Sequence, residues 1–131
     1  MTRAPDTIGE IMTKDVVTVA PDDLVEQAVR SMVESDIGSV IVADGDRAVG
    51  VFTERDLTRR ILDQSDLLQR RVSDVMSSPV ISAPPGMEMA EAFDLLNAND
   101  VRRLVVVEGD RIVGIVTERD LLRWVSAVAS E

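Results

Sequence analysis

Two pentapeptides concentrate the side chains best suited to chemistry in this chain: Thr53-Glu54-Arg55-Asp56-Leu57 and Thr117-Glu118-Arg119-Asp120-Leu121. Thr-x-x-Asp ahead of an apolar run is a helix start. The threonine oxygen accepts a backbone N–H, and the aspartate favours the positive end of the helix. An ionised aspartate is also an acceptor-only group that can take two donors at once. The two roles are compatible for threonine and compete for aspartate, because a carboxylate bonded to its own helix has fewer lone pairs to offer. Arg102 and Arg103 supply a second chemistry. They precede the apolar run Leu104–Val107, where they read either as a solvated strand edge or as planar guanidinium groups suited to phosphate.

Other chemistries are excluded by composition. The 131 residues include no His and no Cys, which removes disulfides, Cys/His metal sites, thiol nucleophiles and the commonest general base. No carboxylate pair is placed by an evident motif, and Asp22-Asp23 and Asp44/Asp46 do not make a metal site. We therefore expect no catalytic residues, no metal and no enzyme activity. A formal net charge of −10 repels phosphate backbones. Phe52, Phe93 and Trp124 are the only aromatics, too few for a base-stacking platform. Nucleic-acid binding is thus not expected. Neither is a membrane span, since the apolar runs are only strand-length. The start, MTRAPDTIGE, lacks an apolar leader, so a cytoplasmic protein is expected.

The elements that position these residues are written twice. A shift of 64 residues aligns the chain with itself without a gap: Met12 falls on Met76, Pro21 on Pro85, Asp36 on Asp100 and Thr53–Leu57 on Thr117–Leu121. Within each copy a short strand (Val16–Val19, Val80–Ser82) leads through proline into an amphipathic helix, Asp22–Ser35 or about Met87–Asn97. Two apolar runs around Asp44-Gly45-Asp46 or Glu108-Gly109-Asp110 predict a hairpin. A second helix then opens at Thr53 or Thr117, the first of these ending near Asp63. The reading is α+β: repeat 1 at 8–63, a polar connector with two apolar positions at 64–71, and repeat 2 at 72–128. One repeat alone has a marginal core. Two β-α-β-β-α copies related by a pseudo-twofold axis are expected to pack into one compact module with a cleft between the halves.

The duplicated pattern resembles a tandem pair of cystathionine-β-synthase (CBS) domains, a Bateman module. The resemblance is carried by Ile11-Met12-Thr13 with Pro21, Val75-Met76-Ser77 with Pro85, Asp36-Ile37-Gly38-Ser39, Val101–Val107 and the two Val-Gly-x-x-Thr-Glu-Arg-Asp-Leu segments. Each piece alone is weak, and their order, duplicated in register, is strong. The resemblance implies binding of adenosyl compounds: AMP, ADP or ATP first, with S-adenosylmethionine and NAD as alternatives. The Thr-x-x-Asp of one repeat would face early strands of the other, with the aspartate taking the ribose hydroxyls and adenine lying between aliphatic side chains. One site would combine Val51, Thr53 and Asp56 with Val80, Val101, Arg102 and Arg103. The other would combine Ile115, Thr117 and Asp120 with Val16, Ile37, Gly38 and Ser39. The arginines give the first site a preference for phosphate-bearing ligands.

The resemblance thus implies a non-catalytic sensor with no obligatory cofactor, its regulatory ligand an adenine nucleotide with or without Mg²⁺. It would act as a homodimer on a regulated protein that the sequence does not name. The rivals are a ligand-free dimerisation module, which the retained Thr-x-x-Asp in both copies argues against, and a nucleotide hydrolase, which the missing His and Cys argue against.

Overall fold

The structure, a computed structural model, describes residues 6–130. Of the start read for a leader, residues 1–5 lie outside the described residues. Among the described residues the chain is α+β, with two three-stranded sheets and five α-helices. It divides into two compact units that cut across the repeat boundary: Val16–Val80 is one, and Met1–Asp15 with Ile81–Glu131 the other. Each unit therefore holds the first segment of the opposite repeat, 8–15 in one and 72–80 in the other.

In the Val16–Val80 unit, β1 (Thr18–Val19) lies parallel to β2 (Ser39–Asp44), which pairs antiparallel with β3 (Arg47–Thr53). The central strand β2 is buried from Ser39 to Ala43, as a run flanked on both edges should be. Helices α2 (Val25–Ser35) and α3 (Glu54–Arg60) complete the unit; the short α1 (Ile8–Ile11) belongs to the other one. The core gathers Val25, Ala28 and Met32 of α2 against Val40, Val42 and Phe52. The connector is anchored there as well: Leu67, in a 3₁₀ turn at Leu67–Gln69, is fully buried in this core with Val72 and Val75.

The second unit repeats the design. β4 (Ser82–Ala83) is parallel to β5 (Leu104–Glu108), which is antiparallel to β6 (Arg111–Val116). Helices α4 (Met89–Asn99) and α5 (Glu118–Ala129) follow the same order. Ile8 is fully buried among Met89, Ala92, Leu96, Leu104, Val106 and Val116. Trp124, which by sequence suits either a core or a dimer contact, packs partly buried on this cluster, its ring centroid 5.6 Å from that of Phe93.

Both first helices begin later than the periodicity suggests, at Val25 rather than Asp22 and at Met89 rather than Met87. The cause is pairing. Leu24 forms an antiparallel bridge with Arg71, and Glu88 forms one with Thr7, so both residues are held extended. Asp23 is engaged upstream, its carboxylate accepting the Ala20 N–H at 2.8 Å. The edge strands also shift, to Thr18–Val19 and Ser82–Ala83. Their ladders open with the Ile41 N–H donating to Val17 O and the Val105 N–H donating to Ile81 O, both at 3.1 Å.

Two features of each hairpin matter for the site. Gly45 and Gly109 open the two-residue turns at φ +65 and +61, a conformation glycine adopts without penalty. Register then slips by one residue, Val42 facing Gly50 while Ala43 faces Ala48. The same slip sets Val106 on Gly114 and Val107 on Ile112. The extra residues Val49 and Val113 are β-bulges, which bend and twist the strand locally. The glycine after each bulge is a point of close approach. A Cβ on Gly50 would collide with the Met76 side chain, and one on Gly114 would lie 2.9 Å from Met12 Cγ and 3.0 Å from Thr13 O. Met76 and Met12 thus fasten each borrowed segment to the strand that ends in Thr-x-x-Asp. Gly114→Ala is expected to cost about 1–3 kcal/mol through overpacking. Gly50→Ala should cost less, because only a flexible side chain must yield. Urea melts of the two variants check the order, and equal stability to the parent chain would contradict it.

Candidate functional site

Strand β3 ends at Thr53, whose extended backbone (φ −124, ψ 164) turns the chain into α3. The Thr53 hydroxyl accepts the Asp56 N–H at 3.2 Å, and Asp56 Oδ2 accepts the Thr53 N–H at 2.9 Å and the Thr53 hydroxyl at 3.0 Å. This is the reciprocal capping box expected of Thr-x-x-Asp. The other oxygen, Oδ1, accepts the hydroxyl of Ser77 at 2.9 Å.

The second turn follows the same plan. Asp120 Oδ2 accepts the Thr117 N–H at 2.9 Å and the Thr117 hydroxyl at 3.1 Å. The hydroxyl of Thr13 lies 3.4 Å from Oδ1. Thr13 and Ser77 are 64 residues apart and thus equivalent. Asp56 is half-buried, whereas Asp120 is only 5% exposed and is, with Ser39, one of two buried polar or charged residues among the described residues.

Thr13 and Ser77 were not singled out from sequence. The signal was present, a hydroxyl residue ending both Ile11-Met12-Thr13 and Val75-Met76-Ser77. Its use depends on the exchange of segments between units. Val51 and Ser77 exchange backbone hydrogen bonds of 3.0 and 2.8 Å, as Thr13 and Ile115 do at 2.8 and 3.0 Å, which places each hydroxyl beside its aspartate.

The remaining sequence-predicted residues fall as follows. Helix α2 stops at Asp36 in the left-handed conformation (φ 52), with the Ile37 N–H donating to Met32 O at 3.0 Å. Helix α4 stops likewise at Asp100, with the Val101 N–H donating to Leu96 O at 3.1 Å. These Schellman-type ends aim Ile37-Gly38-Ser39 and Val101-Arg102-Arg103 into the central strands. In the first unit Gly38 O accepts the Glu54 N–H at 3.0 Å, and Ser39 pairs with Thr53. Val51, Thr53, Asp56, Gly38, Ser39 and Ser77 are therefore brought together there, and Val16, Ile37 and Val80 belong to the same unit. The other unit holds Val101, Arg102, Arg103, Ile115, Thr117 and Asp120. Each of the two groups expected from sequence thus draws on both units.

The arginines are not equivalent. Arg102 is exposed and pairs with Glu118 at 3.2 Å, a contact worth little in solvent. Arg103 is half-buried, and its Nε is fully enclosed without a hydrogen-bond partner. Such a donor is costly unless something accepts from it. Among the described residues no cluster of carboxylates could hold a metal ion.

The CBS-domain family model matches residues 8–63 and again 72–127. The chain belongs to the CBS-domain family. An inosine-5'-monophosphate dehydrogenase of Methanocaldococcus jannaschii is 40% identical over 123 residues, 92% of this chain and 24% of that enzyme. The solved CBS-domain containing protein of Agrobacterium tumefaciens superposes with a TM-score of 0.82 at 28% identity, covering 91% of this chain and 92% of that one. A Methanocaldococcus jannaschii protein proposed as an archaeal homologue of γ-AMPK gives 0.81 at 25% identity, over 92% of this chain and 48% of its own. The CBS pair here thus spans about a quarter of the dehydrogenase and about half of the γ-AMPK-like chain. What it shares with the enzyme is a regulatory CBS stretch, not the whole catalyst. No helix of the described residues is long and apolar enough to cross a membrane.

Proposed function

We propose that this CBS pair is a non-catalytic sensor whose two Thr-x-x-Asp turns bind the ribose hydroxyls of adenosyl ligands, AMP, ADP or ATP first among them. The observation that carries the reading is the way both aspartates are held. One oxygen of each is fixed by its threonine, and the other meets a hydroxyl, Ser77 at 2.9 Å or Thr13 at 3.4 Å. A carboxylate fixed in this way is pre-oriented to accept from hydroxyl groups, and such charge-assisted bonds are the strong ones. Arg103, with its enclosed and unpartnered Nε, is the candidate for a phosphate. Likeness to a proposed γ-AMPK homologue supports the same reading. Occupancy would act on a regulated protein by favouring one of two states, to the extent that the ligand binds them unequally.

A second reading has its own observation. Leu122, Val125 and Val128 of α5 are 70, 50 and 40% exposed, an apolar stripe that suits a homodimer contact whether or not a ligand binds. Thermal-shift measurements with AMP, ADP, ATP, S-adenosylmethionine and NAD separate the two. At one hundred times its Kd a true ligand adds about 2.7 kcal/mol, several degrees for a chain of this size. No shift with any of the five at millimolar concentration would leave dimerisation alone as the function. If Arg103 takes a phosphate, adenosine should stabilise less than AMP.

A further inference from the structure

Asp56 has too few free acceptor positions for a ribose while Ser77 stays where it is. A carboxylate offers about four lone-pair positions. Three donors already use Asp56: the Thr53 N–H and hydroxyl on Oδ2, and the Ser77 hydroxyl on Oδ1. A cis-diol needs two positions and about one remains. The Thr53 bonds belong to the helix cap and to the backbone turn, so the contact free to yield is that of Ser77, which is exposed. At Asp120 the equivalent hydroxyl, Thr13, is already at 3.4 Å, a length at which little hydrogen bond is left to break.

We propose that Ser77 is an affinity-setting residue: without ligand its hydroxyl holds the Asp56 oxygen that a ribose hydroxyl requires, and binding displaces it. This rests on the ribose reading above. It makes the two turns unequal although their pentapeptides are identical, with the Asp56 turn carrying a built-in competitor. Loss of the competitor should strengthen binding, which is opposite in sign to structural damage or to loss of a ligand contact.

The segment does not depend on the Ser77 side chain, because Val51 and Ser77 are joined by two backbone hydrogen bonds. Ser77→Ala should therefore fold. The test is calorimetric titration with adenosine and with 2',3'-dideoxyadenosine, using Ser77→Ala and Ser77→Thr in an Asp120→Asn background that leaves the Asp56 turn. Amide shifts of Val51 and Ser77 in the otherwise unaltered chain report the same turn if that background is poorly folded. Ser77→Ala should bind adenosine about tenfold more tightly, Ser77→Thr should stay near the parent, and the gain should vanish for the dideoxy compound. Unchanged or weaker adenosine binding by Ser77→Ala, with the parent still preferring adenosine over its dideoxy analogue, overturns this inference alone. Equal binding of the two compounds by the parent overturns the ribose reading and the inference with it.

Discussion

Phe52→Ala should destabilise the Val16–Val80 unit by about 3–5 kcal/mol, the range for an aromatic removed from a closed core. Phe52 is 0% exposed and heads the fully buried side chains by volume. It packs with Val25, Ala28, Met32 and Leu67, so the void would open between α2, the sheet and the anchored connector. A domain's total stability is about 5–15 kcal/mol, so the variant would lose a large part of it. Phe52 directly precedes Thr53, and loosening the end of β3 should blunt ligand response at Asp56. Urea melts followed by circular dichroism measure the loss as a fall in midpoint at nearly constant slope. The half-buried Phe93, changed in the same way, should cost less. A Phe52→Ala midpoint within error of the parent would mean that this core is not packed as described.

Removal of an aspartate should have the largest functional effect. Each charge-assisted hydrogen bond contributes about 1.5–3 kcal/mol, so Asp56→Ala or Asp120→Ala should weaken its own turn about 30-fold or more. The stability costs should differ. Asp120 is 5% exposed and accepts from the Thr117 N–H and hydroxyl, so its loss strands donors out of water at about 1–3 kcal/mol. Asp56 is half-buried, and its replacement costs about a helix cap, roughly 1 kcal/mol. Asn at either position keeps one carbonyl acceptor for the cap and loses the charge, which separates stability from binding. Calorimetry on the four single variants reads both effects, and unchanged affinity in all of them would remove ribose binding from the account.

The repeat, the element order and the hairpins were legible because they rest on local pattern: period, proline, and glycine in the turns. The Thr-x-x-Asp capping geometry was legible for the same reason, since a capping box spans four residues. What could not be read was non-local. The helices start at Val25 and Met89 because Leu24 and Glu88 bridge to Arg71 and Thr7, partners far away along the chain. The bulges at Val49 and Val113 look like uninterrupted apolar strand. The exchange of first segments left Thr13 and Ser77 without a visible role, although each lies beside an aspartate. The competition foreseen for the aspartate is present, with a competitor supplied from the borrowed segment as well as from the helix. Arg102 and Arg103 differ for a similar reason: one finds Glu118, and the other is half-buried with its Nε enclosed.

The most direct test of the central claim is calorimetric titration of the unaltered chain with AMP and with its 2',3'-dideoxy analogue. The two ligands share base and phosphate and differ only in the hydroxyls assigned to Asp56 and Asp120. The account predicts that AMP binds and that the dideoxy compound binds about 30-fold or more weakly. Equal affinity for the two would contradict it.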